Sequence, residues 1–77
     1  MKNLQLLAFA NSSDAFGFSK SEVACAAEDT PLTIVTRIAP HVDRTYLRVA
    51  LDGEFVTWNT PVADARELAF LPPVSGG

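Results

Sequence analysis

Two alternating runs around Asp52-Gly53 constrain the fold more than any other feature of this sequence. In residues 46–58, YLRVALDGEFVTW, apolar and polar residues alternate on both sides of the dipeptide. Asp-Gly is preferred in tight turns in which both central residues need a positive φ. The segment therefore predicts a β-hairpin in which every second side chain of a strand is directed at the core. The residues expected to face inward are Leu47, Val49 and Leu51.

The beginning of the chain predicts a second pair of strands. Residues 2–9, KNLQLLAF, carry apolar side chains on both sides of the alternation, which predicts a central strand buried largely on both faces. A loop rich in Asn, Ser and Asp follows, and we expect Phe16 and Phe18 to hold it against the domain. Residues 22–26, EVACA, are predicted to form the partner strand of this hairpin. Its inward residues would be Val23 and Cys25.

The middle of the chain predicts one helix between two prolines. Thr30 can cap free backbone N–H groups of the first turn, and Pro31 has its φ already set for the first helical position. Pro40 ends the run because proline cannot continue a helix. The β-branched residues of LTIVTRI also suit a strand, and the boundaries favour the helix. Its expected inner face consists of Leu32, Val35, Ile38 and Ala39.

A last strand is predicted immediately before the C-terminal tail. Pro72 and Pro73 cannot donate backbone hydrogen bonds to a sheet, so the strand ELAFL ends before them. Its alternation places two large apolar residues on one face and two further apolar residues on the other. These pairs are Leu68 with Phe70, and Ala69 with Leu71.

The order of the elements indicates the fold class. Strand, strand, helix and three further strands predict an α+β domain in which one helix packs across a mixed sheet. At 77 residues the chain has room for one domain, which we expect to span residues 1–71 before an extended tail at residues 72–77. The hydrophobic content of 48% is that of a folded protein rather than a disordered one.

Charge and composition argue against several classes of function. The net charge is −3 at pH 7 and the six basic residues are scattered, whereas nucleic-acid binding needs a basic patch. No segment approaches the ~18 apolar residues of a membrane span, and residues 1–10 resemble a signal peptide only weakly. The single cysteine, Cys25, cannot form an internal disulfide. We therefore expect a protein of the reducing cytoplasm.

The sequence offers almost no catalytic chemistry. His41 is the only histidine and Cys25 the only cysteine, so no group of residues has the ligand spacing of a zinc site. Cys25 falls in a strand pattern, which favours a small buried side chain over a nucleophile. The sequence has no acid–base pair that we can identify and no Gly-rich phosphate loop. We therefore expect no bound metal or cofactor, and no enzyme activity from this chain alone.

The C-terminal tail is the part of the chain left to carry a function. The sequence ends in FLPPVSGG, and two terminal glycines arise by chance in roughly one chain in 200, since about 7% of ordinary residues are Gly. Gly76 and Gly77 have no Cβ, so they can enter a channel too narrow for other residues. The six residues after Leu71 span about 20 Å when extended. Pro72 and Pro73 stiffen the base of the tail, which lowers the entropy lost on insertion.

The tail and the strand before it resemble a known family. Residues 67–77, ELAFLPPVSGG, closely resemble the C-terminus of MoaD/ThiS-type ubiquitin-like sulfur carriers, and among these the small subunits of molybdopterin synthase (MoaD type). The likeness extends back through LDGEFVTWNTPVADAR and fits the order of elements over the whole chain. In the turn before the last strand, Ala65 stands where the family commonly has Gly. The resemblance implies a β-grasp fold.

The resemblance also implies a mechanism and its partners. An activating enzyme (MoeB type) would use ATP to adenylate Gly77, and a sulfur donor would then convert it to a thiocarboxylate. The tail would insert into the large synthase subunit (MoaE type) of a heterotetramer, where the sulfur passes to a pyranopterin precursor to build the dithiolene of molybdopterin. Gly76 would provide clearance, and the acid–base residues would belong to the large subunit. In the tail, Val74 and Ser75 would line the channel. The positions that match partner-binding residues are Phe9, Phe55, Leu71, Pro72, Pro73, Val74 and Ser75.

Several alternatives stay open. A sulfur carrier for thiamine thiazole or cysteine formation would share the fold and the Gly-Gly end, although Pro72-Pro73 favours molybdopterin. A ubiquitin-like modifier would link Gly77 to a target lysine through an isopeptide bond. A structural module with an accidental tail is the simplest alternative. For Phe9 and Phe55, core packing is the alternative to docking because aromatic residues are mostly buried.

Overall fold

Five strands form one mixed sheet in the computed structural model, which describes residues 1–9, 16–17 and 19–72. In chain order the elements are β1 (Lys2–Ala8), β2 (Lys20–Cys25), α1 (Pro31–Ile38), a short 3₁₀ turn (Arg44–Tyr46), β3 (Arg48–Leu51), β4 (Glu54–Val56) and β5 (Glu67–Leu71). The strands lie side by side in the order β2-β1-β5-β3-β4. β1 and β5 run parallel, whereas the other neighbouring pairs are antiparallel. The predicted mixed sheet with a helix, and the predicted element order, are confirmed.

β1 is an interior strand, as predicted, but it is buried on one face only. Leu4, Leu6 and Ala8 are at most 4% exposed and face the core. Asn3 and Gln5 on the opposite face are exposed. The prediction of burial on both faces is wrong, because α1 packs against one side of the sheet and these polar side chains on the other side remain in solvent.

The core lies between α1 and the inner face of the sheet. Its most buried side chains are at most 1% exposed and come from β1, β2, α1, β3, β5 and the segment before β5. They include Leu4, Leu6, Ile34, Val35, Val49, Val62, Leu68 and Phe70. The ring of Phe16 packs on Phe70 with centroids 4.4 Å apart, so Phe16 is held against the domain, whereas residues 10–15 of its loop lie outside the described residues. Phe18 lies outside the described residues.

α1 begins at a reciprocal cap, as its sequence predicts. The Thr30 hydroxyl oxygen accepts from the backbone N–H of Thr33 at 3.2 Å, and the Thr33 hydroxyl oxygen accepts from the backbone N–H of Thr30 at 2.9 Å. These bonds satisfy two backbone donors at the start of the helix. The inner face differs from the prediction at one position. Ile34 is fully buried there, whereas Leu32 is half-buried; the predicted Ile38 is half-buried against the core.

Asp29 ties this helix start to the end of β2. Its carboxylate accepts from the backbone N–H of Ala26 and from the hydroxyl of Thr33, each at 2.9 Å, and lies 3.6 Å from the Arg37 guanidinium. The hydrogen bonds from Ala26 and Thr33, with a smaller contribution from Arg37, lower the pKa of Asp29. The charged carboxylate therefore helps to fix the connection between β2 and α1.

The Asp52-Gly53 turn confirms the predicted hairpin. Asp52 has a φ of 48° and Gly53 a φ of 85°, the two positive values that the dipeptide indicates. The Asp52 carboxylate also accepts from the backbone N–H groups of Arg66 and Glu67, at 2.9 and 3.1 Å. The turn is thereby joined to the start of β5.

The first strand of the hairpin is shorter than predicted. It begins at Arg48 rather than at position 46, because Arg44–Tyr46 forms the 3₁₀ turn. Asp43 caps this turn by accepting from the backbone N–H of Thr45 at 2.9 Å. The expected inward residues do face the core: Val49 and Leu51 are buried, and Leu47 is half-buried against it.

Candidate functional site

The sheet has a second, outer face on the side away from α1. The strand register places Leu7 opposite Ala69, Ala69 opposite Ala50, and Ala50 opposite Phe55. A row of four apolar residues therefore crosses β1, β5, β3 and β4. Together with two residues at the ends of β1 and β5, they form what we call the outer patch: Leu7, Phe9, Ala50, Phe55, Ala69 and Leu71.

Two of the predicted docking residues meet at the end of β5. The backbone N–H of Phe9 donates to the carbonyl of Phe70 at 3.1 Å, which continues the parallel pairing of β1 and β5 beyond Ala8. Phe9 therefore lies beside Leu71, at the same end of the sheet. Alternation along β1 and β5 puts both residues on the outer face.

The exposure of the outer patch separates it from the core. Phe9 and Phe55 are 46% and 62% exposed, and Leu71 is half-buried. Ala50 and Ala69 are 5% exposed, yet they do not belong to the core cluster around α1. Core packing is therefore the wrong interpretation for the two phenylalanines. Their role in docking stays a prediction.

The tail begins where the outer patch ends. β5 stops at Leu71, and the half-buried Pro72 follows directly. The remaining predicted site residues, Pro73, Val74, Ser75, Gly76 and Gly77, lie outside the described residues. Their proposed roles stay predictions, and the described part of the site is the outer patch with Pro72 at the end of β5.

Arg48 supplies a cation at the edge of the outer patch. It lies opposite Leu71 in the register of β3 and β5, and its side chain is exposed. Its guanidinium carbon is 5.9 Å from the centroid of the Phe55 ring, which is a cation–π arrangement. A groove of about 290 Å³ opens beside this pair, at the end of the β3–β4 hairpin away from its turn. The residues that line this hairpin groove are Leu47, Arg48, Val49, Phe55, Val56 and Trp58.

Sequence reasoning did not identify Leu7, Ala50, Ala69 or Arg48 as part of a site. Alternation gives the outward positions of each strand, and Leu7 and Ala69 are outward apolar residues that could have been noticed. What was missing is the register between strands from distant parts of the chain. Only the sheet order shows that β1, β5, β3 and β4 place these residues side by side.

The one cysteine of the sequence, Cys25, lies in the core. Cys25 is 0% exposed, and burial, followed by the nearby Asp29 carboxylate, raises the pKa of its thiol. It is a buried side chain rather than a nucleophile, as its strand pattern predicts. Across residues 1–9, 16–17 and 19–72, no cluster of three or more His, Cys, Asp or Glu could hold a metal ion. In the same residues, no helix is long and apolar enough to cross a membrane.

Comparison with known sequences gives a match over most of the chain. The model of the ThiS family matches residues 7–77, which includes β1 from Leu7 onward and the whole tail. A search of curated proteins gives no significant match.

Solved structures share the fold over nearly the full length. SAMP1 from Haloferax volcanii is 24% identical with a TM-score of 0.73, covering 99% of this chain and 100% of that one. A Pyrococcus furiosus protein assigned as molybdopterin converting factor subunit 1 is 15% identical with a TM-score of 0.76, covering 96% and 100%. Small archaeal modifier protein 1 from Methanosarcina acetivorans is 20% identical with a TM-score of 0.71, covering 100% and 98%. At these identities the likeness establishes the β-grasp, ubiquitin-like fold.

Proposed function

This chain belongs to the ThiS family of small ubiquitin-like carrier proteins, and we propose that it is the sulfur-carrier subunit of a molybdopterin synthase. The sequence PPVSGG, which leaves β5 beside an exposed apolar surface, is the observation that carries the proposal. Gly77 bears the sulfur, and the large subunit (MoaE type) supplies the reaction site. The setting we propose is the cytoplasm.

The chemistry of the tail requires an activating enzyme. A C-terminal carboxylate has a reference pKa of ~3.3–3.7, so it is ionised at neutral pH and resists attack by a nucleophile. The activating enzyme (MoeB type) joins the Gly77 carboxylate to the AMP part of ATP and releases pyrophosphate. A donor at the oxidation level of sulfide then attacks the carbonyl carbon, and AMP leaves. The product is the thiocarboxylate that donates sulfur to the pyranopterin precursor.

The outer patch provides the docking surface for the protein that receives the tail. Exposed aromatic side chains next to aliphatic ones are typical of the energetic centres of protein interfaces. Phe9, Leu71 and Phe55 lie on the outer face, and Leu71 is the last residue of β5 before the tail, so a partner that encloses the tail covers them. Pro72 and Pro73 direct the tail, Val74 and Ser75 contact the channel wall, and Gly76 passes its narrowest part.

A second candidate function is protein modification. The fold is similar to that of two small archaeal modifier proteins, which favours this candidate over a structural module. A modifier would form an isopeptide bond between Gly77 and a lysine of its target. Sulfur carriage for thiamine or cysteine formation is a third possibility, and it would use the same activation of Gly77.

The intact mass of the protein tests the proposal most directly. After incubation with ATP, the activating enzyme and a sulfur donor, we expect the mass gain of one oxygen replaced by one sulfur, mapped to Gly77. A variant with one residue appended after Gly77 is the matched control, and it should gain nothing while its fold is unchanged. If the unmodified chain gains no sulfur with an activating enzyme that is active on another carrier, sulfur carriage is wrong. A ladder of conjugates on a blot would support the modifier.

Transfer to the precursor then identifies the pathway. With the large subunit present, the thiocarboxylate form should convert the pyranopterin precursor to molybdopterin. Sulfur loading without this conversion would support the thiamine or cysteine pathway instead.

A further inference from the structure

The hairpin groove combines an apolar floor with a cation at its rim. Val49 is buried, Val56 and Trp58 are half-buried, and Phe55 and Arg48 are exposed at the opening. Among the described residues, no hydrogen bond or ion pair involves the Arg48 guanidinium. Its one described interaction is the contact with the Phe55 ring at 5.9 Å. That contact holds the guanidinium near the groove while its N–H groups stay available as donors.

The position of the groove relates it to the tail. Arg48 pairs with Leu71 across β3 and β5, and Leu71 is the last residue of the strand that leads into the tail. A protein interface covers about 800 Å² on each partner. An interface of this size around Leu71 has room for Arg48 and the hairpin groove beside it as well as the outer patch.

Docking places a requirement on that partner. Covering an unpaired guanidinium removes it from water, which is unfavourable unless a hydrogen-bonding anion replaces the water. The groove beside it accepts apolar atoms, since Leu47, Val56 and Trp58 are all partly exposed in it. The partner surface that fits the hairpin groove and Arg48 thus presents an apolar side chain next to a carboxylate.

We propose that the hairpin groove is a second docking site on the protein that takes the tail, and that it binds an apolar residue adjacent to an Asp or Glu that pairs with Arg48. This inference rests on the proposed function, because it concerns the large synthase subunit. It adds to the outer patch a charged contact that fixes orientation. Charge pairs at an interface contribute to specificity and to the choice of partner.

Binding of the large subunit (MoaE type) from the same organism, measured by titration calorimetry, tests the charged contact. Arg48→Glu should weaken binding at least about tenfold, because it places like charges together. Arg48→Lys should weaken binding less, since it keeps the charge and loses the planar fork. The control is Arg66→Glu, which makes the same charge change at an exposed position at the opposite end of β5 and should leave binding within about twofold.

A spectroscopic measurement tests occupation of the groove itself. Trp58 is the only tryptophan of the chain and it lines the groove. In protein labelled with 5-fluorotryptophan, the single ¹⁹F resonance should move when unlabelled large subunit is added. The same shift should appear with a chain lacking Gly76 and Gly77, at higher partner concentration, because the groove lies outside the tail.

The outcomes separate the two proposals. The docking site is supported if Arg48→Glu weakens binding, the control Arg66→Glu does not, and the Trp58 resonance shifts. Unchanged binding by folded Arg48→Glu, or an unmoved resonance at saturating partner, overturns it and leaves the proposed function intact. If the unaltered chain does not bind the large subunit at all, the proposed function is wrong and this docking site is wrong with it.

Discussion

The two faces of the sheet are made from the same strands but use apolar residues differently. On the inner face, large side chains such as Leu6, Leu68 and Phe70 are at most 1% exposed under α1. On the outer face, Phe9 and Phe55 keep about half of their surface in water, and the residues between them are mostly small. The inner face gains its stability from burial during folding. The outer face retains apolar surface that only association with another molecule can bury.

The difference separates the residues that stabilise the domain from those that stay available to a partner. The inner face and the reciprocal cap at the start of α1 stabilise the fold, so the outer face can bind a partner. Leu71, the last residue of β5 before the tail, lies between Phe9 and Arg48 at one end of that second face. Substitutions on the inner face should therefore change stability, and substitutions on the outer face should change binding.

Truncation of Phe70 should have the largest effect on the inner face. Phe70 is fully buried, and its ring lies 4.4 Å from Phe16 and 6.3 Å from Trp58, centroid to centroid. Phe70→Ala should lower the free energy of unfolding by about 3–5 kcal/mol, through lost burial and the cavity that remains. Urea unfolding measures this change. The matched outer-face variant Phe55→Ala should stay within about 0.5 kcal/mol of the unaltered chain. Equal losses in both variants would show that the two faces do not differ as described.

The same outer-face variant should have its effect on binding. Phe55 is 62% exposed when the chain is alone and becomes covered in the proposed complex. Phe55→Ala should weaken binding of the large subunit by about 2 kcal/mol, roughly thirtyfold, as expected for a central aromatic contact. Titration calorimetry gives the dissociation constant. Gln5→Ala, exposed on the same face but outside the outer patch, is the control and should bind normally. Normal binding by Phe55→Ala would remove the outer patch from the interface.

The elements that are specified by local sequence were the ones that could be predicted. Thr30 and Pro31 mark the start of α1, Asp52-Gly53 defines a turn, and Pro72 follows the end of β5, so each boundary depends on the chemistry of adjacent residues. Burial was harder to predict. Leu7 and Phe9 have the same apolar character as Leu4 and Leu6, and alternation alone does not say which face α1 will cover.

The candidate site could be predicted only in part, for a related reason. Resemblance to a family points to Phe9, Phe55 and Leu71, and the structure brings these residues to one face. Ala50 and Arg48 join them through pairings between segments distant in the chain, which no local pattern contains. The hairpin groove depends on the same pairings, so it became visible only in the folded sheet.

Asp29 tests whether polar contacts on the α1 side also stabilise the fold. Asp29→Ala removes the acceptor for Ala26 and Thr33 and should lower the free energy of unfolding by about 1–2 kcal/mol at pH 7. The pKa of Asp29 is lowered in the folded state, so its stabilisation is present above the ordinary aspartate pKa and is lost as the pH falls through the folded value. Urea unfolding at pH 7 and near pH 3 should show the difference between the two proteins shrinking in acid. Asp64→Ala, at an exposed aspartate, should change little at either pH. A difference that is the same at both pH values would contradict a role for the charge.

The smallest effect is expected in the turn before β5. Ala63 has a φ of 50°, a left-handed value that is strained for any residue with a Cβ. Two hydrogen bonds hold the backbone of Ala63 in that conformation. The Ala63 N–H donates to the Ala27 carbonyl, and the Lys2 ammonium donates to the Ala63 carbonyl, each at 2.9 Å. Ala63→Gly should therefore raise the free energy of unfolding by about 0.5 kcal/mol, since relief of strain exceeds the added entropy of the unfolded chain.

Ala65→Gly is the matched control two residues later, where φ is not positive, and it should lower stability by about 0.4–1 kcal/mol. Thermal unfolding compares the two variants, and because both lie away from the outer patch, neither should change binding of the large subunit. The opposite result, higher stability for Ala65→Gly and lower stability for Ala63→Gly, would mean that the strained residue of this turn is Ala65, the position at which the family commonly has Gly.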